Sequence, residues 1–202
     1  AQLNDTDKNN VVFSVPSGNF GNLTAGLFAK QIGLPVSKFI AATNINDVVP
    51  RFLETGKFEP RKAKKTLSNA MDVGNPSNLA RIMDLYQHNL EKIRHDIYGT
   101  RCTDKETILE IQTVFREYNY ILDPHGAVAY HGLKKYIKEY GNPTAGVVLE
   151  TAHPAKFHNV LQEIIDCKIE IPERLKECMN RKKNVITLSN KYDEFKRIIR
   201  SY

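Results

Sequence analysis

The sequence predicts an α/β fold in which a partial parallel sheet is covered by helices. Three observations carry that expectation. Val11-Val12-Phe13-Ser14-Val15 is a short, apolar, β-branched run that reads as a buried strand. Turn residues, a helical pattern, a second strand and a second helix follow it, and strand–helix–strand–helix order is the mark of a parallel sheet. Late in the chain the pattern resumes at Ala145-Gly146-Val147-Val148-Leu149, which reads as a third buried strand.

Pro16 to Asn22 ends the first strand with turn residues, after which Leu23, Leu27, Phe28 and Ile32 recur at helical spacing. Gly33 suits the C-cap, and Pro35 prevents continuation. Lys38 to Thr43 forms the second strand, and Asn46 or Asp47 caps a helix carrying Val48, Val49, Phe52 and Leu53. Residues 57–78, with Pro60, Gly74 and Pro76, read as a long basic loop. Helical patterns occupy about 77–95 and 103–118, the second opened by a Thr103/Glu106 capping box, and another runs over about 125–139. A helix to about Asp166 follows the third strand. The tail has helical residues led by Pro172, a strand-like Asn184-Val185-Ile186-Thr187-Leu188 and a last helix from about Tyr192. The expected organisation is one catalytic-type domain over 1–202, with a helical insertion at about 57–125 and a helical tail at about 170–202.

Composition narrows the function classes. The 202 residues are 41% hydrophobic and 26% charged, an ordinary balance for a globular chain of one domain, or one plus a small appendage. No apolar run approaches the ~20 residues that cross a bilayer, so no membrane partner is expected. Cys102, Cys167 and Cys178 are too few for a disulfide framework or a zinc ribbon, which suits a reducing, cytoplasmic setting. The net charge of +6 reads as a solvated basic surface rather than a nucleic-acid interface, since neither a zinc-finger nor an RNP-like pattern accompanies it. The histidines show no metal-ligand spacing, so no metal is expected. The polar first ten residues lead directly into a buried-looking strand, which points to part of a larger protein.

Ligands of open α/β sheets bind at the carboxyl ends of the strands, and two motifs occupy such ends. Gly18-Asn19-Phe20-Gly21-Asn22 lies between the first strand and its helix, where glycines allow close backbone approach and free amides can donate to phosphate oxygens. It lacks the Gly-Lys-Ser/Thr of a nucleoside triphosphate loop and the second glycine of a dinucleotide fingerprint. A small phosphorylated cofactor remains, beside the plainer reading of a tight turn with no ligand. The second motif is Thr151-Ala152-His153-Pro154-Ala155-Lys156-Phe157: its threonine follows a strand directly, and His153 and Lys156 add cationic or proton-donating groups.

Together with Phe39-Ile40-Ala41-Ala42-Thr43-Asn44-Ile45-Asn46-Asp47 and Thr66-Leu67-Ser68-Asn69-Ala70-Met71-Asp72, these motifs resemble the threonine synthase family, in the bacterial and fungal subgroup that carries the His-Pro-Ala-Lys-Phe segment. The resemblance implies a fold-type II enzyme, tryptophan synthase β-like, using pyridoxal 5′-phosphate (PLP) to convert O-phospho-L-homoserine and water into L-threonine and phosphate. It implies that the amides of Gly18, Asn19, Phe20, Gly21 and Asn22 hold the cofactor phosphate and that Thr151 meets the pyridine nitrogen. Lys156, with His153, is expected near the departing phosphate, and Ser68, Asn69 and Asp72 are second-line substrate contacts.

The family's Schiff-base lysine belongs to a Phe-Lys-Asp-like segment ahead of the glycine loop, and no such segment occurs here. The chain therefore resembles the family's carboxyl-terminal half, truncated at the N-terminus. Alone it is expected to lack turnover and to bind PLP weakly if at all, and sheet edges left without the other half would leave self-association open to it. A different fold-type II enzyme is disfavoured by the Thr-Ala-His-Pro-Ala-Lys-Phe segment. A non-catalytic binding protein related to threonine synthase is the alternative that the missing lysine permits.

Overall fold

The computed structural model describes residues 11–201. The first ten residues, read above as a polar connector, lie outside the described residues. The contacts divide the chain into two units, the first ending at Ile169 and the second covering Glu170–Tyr202.

In the first unit, four parallel strands lie in the order β3-β2-β1-β4: β1 (Val11–Pro16), β2 (Lys38–Thr43), β3 (Ile97–Arg101) and β4 (Ala145–Val148). β1 and β2 are central and buried on both faces, as their continuous apolar runs require. One face packs Val15, Phe39 and Ala41 against α1 (Gly21–Gln31), α2 (Val48–Thr55), α3 (Asn78–Leu85) and α4 (Leu90–Asp96). The other packs Val12, Ile40 and Ala42 against Val128, Ala129 and Leu133 of α6 (Pro124–Tyr140). The buried Ser14 hydroxyl donates to the Ala129 carbonyl at 2.6 Å, satisfying the one polar side chain of the central strand. α5 (Asp104–Tyr118) opens with the expected capping box, Thr103 and Glu106 bonding reciprocally. α7 (His158–Ile165) follows a 3-10 turn at Pro154–Phe157.

Four expectations need correction. The pattern over 77–95 is two helices, because Gln87 and His88 turn left-handed (φ 51° and 57°) and Asn89 starts a new helix by accepting from the Lys92 amide at 3.0 Å. The stretch 57–125 is more than a helical insertion, since it supplies the edge strand β3. Ile-Tyr-Gly-Thr-Arg has little apolar signal because only one long edge is paired, and its Gly99 admits α2, whose Pro50 Cα would lie 2.9 Å from an added Cβ. Among the described residues β4 pairs only with β1, and it is half-buried rather than fully buried. Residues 184–188 form no strand: in the second unit, α8 (Glu173–Asn180) and α9 (Tyr192–Ser201) are helical, and Val185 and Ile186 between them are exposed, with no strand beside them among the described residues.

Candidate functional site

The carboxyl ends of β1, β2 and β4 converge on one region through a chain of contacts. The β1–α1 turn comes first. Phe20 sits in the left-handed region (φ 64°), a conformation that costs an ordinary residue about 1 kcal/mol, and its ring is buried. The first helical bond of α1 runs from the Thr24 amide to the Phe20 carbonyl at 3.0 Å, so the amides of Gly21, Asn22 and Leu23 lie ahead of the ladder. Gly21 and Asn22 are exposed, and the first turn of this eleven-residue helix carries no acidic side chain. Free amides at a helix start with no acidic neighbour can donate to an anion.

Side chains from α3 fix the turn. Asn19 Oδ1 accepts from the Ser77 amide at 2.7 Å and its hydroxyl at 3.1 Å, while Asn78 Nδ2 donates to the Asn19 carbonyl at 2.8 Å. From the other side, the backbone at Ala70 and Met71 approaches Gly18 so closely that an added Cβ would lie 2.7 Å from Met71 Cα and 2.8 Å from the Ala70 carbonyl oxygen. Gly18 is thus required by packing.

The segment that presses on Gly18 is held by a carboxylate. Asp72 Oδ1 accepts from Asn44 Nδ2 at 2.9 Å, Asn46 Nδ2 at 3.2 Å and the Thr66 hydroxyl at 2.8 Å, and Oδ2 accepts from the Thr66 amide at 3.0 Å. Ser68 is buried beside Asn44, whose Nδ2 lies 3.2 Å from the Ser68 hydroxyl. Ser68 and Asp72 therefore build the turn from within, and Asn69 stands exposed at its tip.

The same turn reaches the second motif through His125. The Ala70 amide donates to His125 Nε2 at 3.3 Å, His125 Nδ1 lies 2.6 Å from Asp123 Oδ1, and the His125 ring packs on Phe157 at 5.2 Å between centroids. Burial disfavours the Asp123 carboxylate, but its interactions with the His125 ring, the adjacent Glu150 carboxyl and the His125 amide outweigh it and hold its pKa below the ordinary value. Glu150 goes the other way: burial, together with the adjacent Asp123, pushes it up to about 9. Its carboxyl fills the notch at Gly126 in the first turn of α6, with Oε1 1.7 Å from where a Cβ would stand.

Thr151 lies three residues beyond Val148, the last residue of β4 and paired with Ser14, so it leaves the sheet at its carboxyl end on the β1 side. It is exposed and its hydroxyl has no partner among the described residues. His153 caps the 3-10 turn, its Nδ1 accepting from the Ala155 amide at 3.1 Å, and Lys156 is exposed.

Asn44, Asn46, Asp123, His125 and Glu150 were not among the sequence candidates. A signal exists in Asp123-Pro124-His125, an N-cap followed by proline at N1, but it is one that marks a helix start and not a site. A cavity of about 460 Å³ lies elsewhere, lined by Asp47, Arg51, Tyr98, Arg101 and Lys135, and holds none of the predicted site residues. Cys102, Glu106 and His131 place donor atoms within 4.8 Å of one another, but burial raises the Cys102 thiol to about 12, and Glu106 is committed to the capping box.

Residues 126–199 match the family model described as "Threonine synthase, C-terminal". Threonine synthase from Escherichia coli (strain K12) is 44% identical over 179 residues, covering 88% of this chain and 40% of that protein. Threonine synthase from Schizosaccharomyces pombe is 34% identical over 193 residues, covering 73% and 38%. The crystal structure of threonine synthase from E. coli superposes with a TM-score of 0.83 at 38% identity, covering 99% of this chain and 46% of that one. A PLP-bound threonine synthase from Brucella melitensis gives 0.81 at 32%, covering 95% and 46%. The chain thus spans less than half the length of these relatives, and across that span it is related to threonine synthases in sequence and has the fold of fold-type II PLP enzymes.

Proposed function

We propose that this chain, as a relative of the threonine synthases, carries the phosphate-gripping part of a PLP site and serves the conversion of O-phospho-L-homoserine and water into L-threonine and phosphate. The observation that carries the reading is the β1–α1 turn: amides ahead of the helical ladder, no acidic neighbour in the first turn, and a conformation imposed by Phe20, Asn19 and Gly18. The residues fit the cofactor at both ends, since Thr151 offers an unpaired hydroxyl at the carboxyl end of the sheet on the β1 side.

In this reading the amides of Gly18 to Asn22 bind the cofactor's monoester phosphate, aided by the α1 dipole. The Thr151 hydroxyl donates to the ring nitrogen, a neutral partner that leaves it less protonated than a carboxylate would. Bound there, PLP supplies the electron sink for proton removal next to the amino group. Lys156, exposed and cationic, offsets charge on the departing phosphate, and His153 stands beside it. Asn69 is the one member of the Ser68, Asn69 and Asp72 group presented outward, so it is the direct substrate contact, while Ser68 and Asp72 shape its turn. No helix among the described residues is long and apolar enough to cross a membrane, and the three cysteines are free, which supports a reducing, cytoplasmic location.

The test is a paired titration of this chain with pyridoxal phosphate and with pyridoxal. Preference for the phosphate ester by tenfold or more, abolished by Asn22→Asp, is expected. Equal affinity for the two ligands would remove the assignment.

A further inference from the structure

Among the described residues two buried carboxylate oxygens have no hydrogen-bond partner, Asp123 Oδ2 and Glu150 Oε1, and they belong to neighbouring side chains. Two carboxylates cannot satisfy each other, because both only accept. One proton resolves both atoms. The rest of the chain of bonds fixes where the other protons lie. The Ala70 amide donates to His125 Nε2, so Nε2 carries no proton; the ring proton is on Nδ1 and is donated to Asp123 Oδ1 at 2.6 Å. Asp123 Oδ1 also accepts the His125 amide at 2.8 Å. Only Oδ2 is left to accept from Glu150.

We infer that Glu150 is a positioning residue: protonated, it donates to Asp123 Oδ2 and completes a chain in which Glu150 and His125 both donate to Asp123 and the Ala70 amide donates to His125. The chain ties together the two loops of the site. At one end, Glu150 immediately precedes Thr151, so anchoring its carboxyl in the Gly126 notch sets where Thr151 begins its turn. At the other end, the Ala70 amide belongs to the segment that presses on Gly18. A neutral Glu150 also avoids placing a second negative charge in the first turn of α6 beside Asp123. The raised pKa of Glu150 and the lowered one of Asp123 agree with this placement of the proton. The groups whose charge or dipole reaches Glu150 are Asp123, the neutral His125 ring beyond it and the phenol of Tyr120, which burial and the nearby acids push upward.

The inference depends on the proposed function only in giving Thr151 and Gly18 a ligand; the hydrogen-bond chain stands on its own contacts. Its test is made on this chain without cofactor. Because Glu150 has a higher pKa folded (about 9) than its ordinary 4.5, its contribution to stability is complete below the ordinary value and is lost as pH rises toward 9. Thermal melting should therefore fall progressively between pH 5 and pH 9. Glu150→Gln, whose amide N–H donates to Asp123 at every pH, should remove that fall and keep the wild-type melting temperature at low pH, while Glu150→Ala should melt lower throughout. In the wild-type chain, carboxyl ¹³C NMR should show Glu150 still protonated at pH 7, and ¹⁵N NMR should show the His125 proton on Nδ1. An ordinary Glu150 titration, a proton on His125 Nε2, or an unchanged pH slope in Glu150→Gln would each overturn the inference. Failure of pyridoxal phosphate to bind, with these signatures intact, would overturn only the reading of the β1–α1 turn.

Discussion

The two loops that frame the site are built on different principles. The β1–α1 turn is held from three sides by neutral contacts: Asn19 to Ser77 and Asn78, the Phe20 ring in the core, and the Ala70–Met71 backbone against Gly18. The β4–α7 loop leaves Thr151 and Lys156 exposed and is anchored at its start by the Glu150 carboxyl. The first meets the Glu150–Asp123–His125 chain only at its far end, through the Ala70 amide behind Gly18, and the second carries the chain's carboxyl in its own backbone neighbour. A site assembled this way has one wall remote from the shared proton and one directly beside it.

Substitutions can separate the two walls. The largest effect is expected from Gly18→Ala, where the added Cβ meets backbone that cannot step aside, at a cost of about 3 kcal/mol in urea unfolding. A cost under about 0.5 kcal/mol would show that the two segments do not press on each other. Asp72→Ala should come next, at about 2 kcal/mol, because it leaves Asn44, Asn46 and Thr66 without their common acceptor. Gly126→Ala should cost about 1 kcal/mol, because the methyl displaces only the flexible end of Glu150. Its sharper signature is the loss of the pH slope in melting, with the β1–α1 turn unaffected. Lys156→Ala should leave stability within about 0.5 kcal/mol, as expected of an exposed side chain. In an intact enzyme it should weaken use of O-phospho-L-homoserine far more than cofactor uptake, and unchanged steady-state kinetics would remove its assigned role.

Much of this plan is legible along the chain. Central strands β1 and β2 announce themselves because burial on both faces demands uninterrupted apolar residues, and the Thr103/Glu106 box marks a helix start because its chemistry is local. β3 escapes because its residues answer to α2 and to a single neighbouring strand, so Gly99 looks like a breaker when it is a point of close approach. The glycine turn and Thr151 motifs are contiguous and visible. The His125–Asp123–Glu150 connection is not, because it joins residues that are near in space and whose local spellings suit a helix cap and a strand end. Asp72 reads as a candidate ligand group for the same reason: sequence shows a carboxylate but not the four donors already on it.

Phe20 adds a last consequence. Its backbone is twisted into a conformation that an aromatic residue adopts reluctantly, and burial of the ring keeps it there. The entropy of arranging those amides is therefore settled during folding rather than at the moment an anion arrives, so little binding energy is diverted into ordering the receptor.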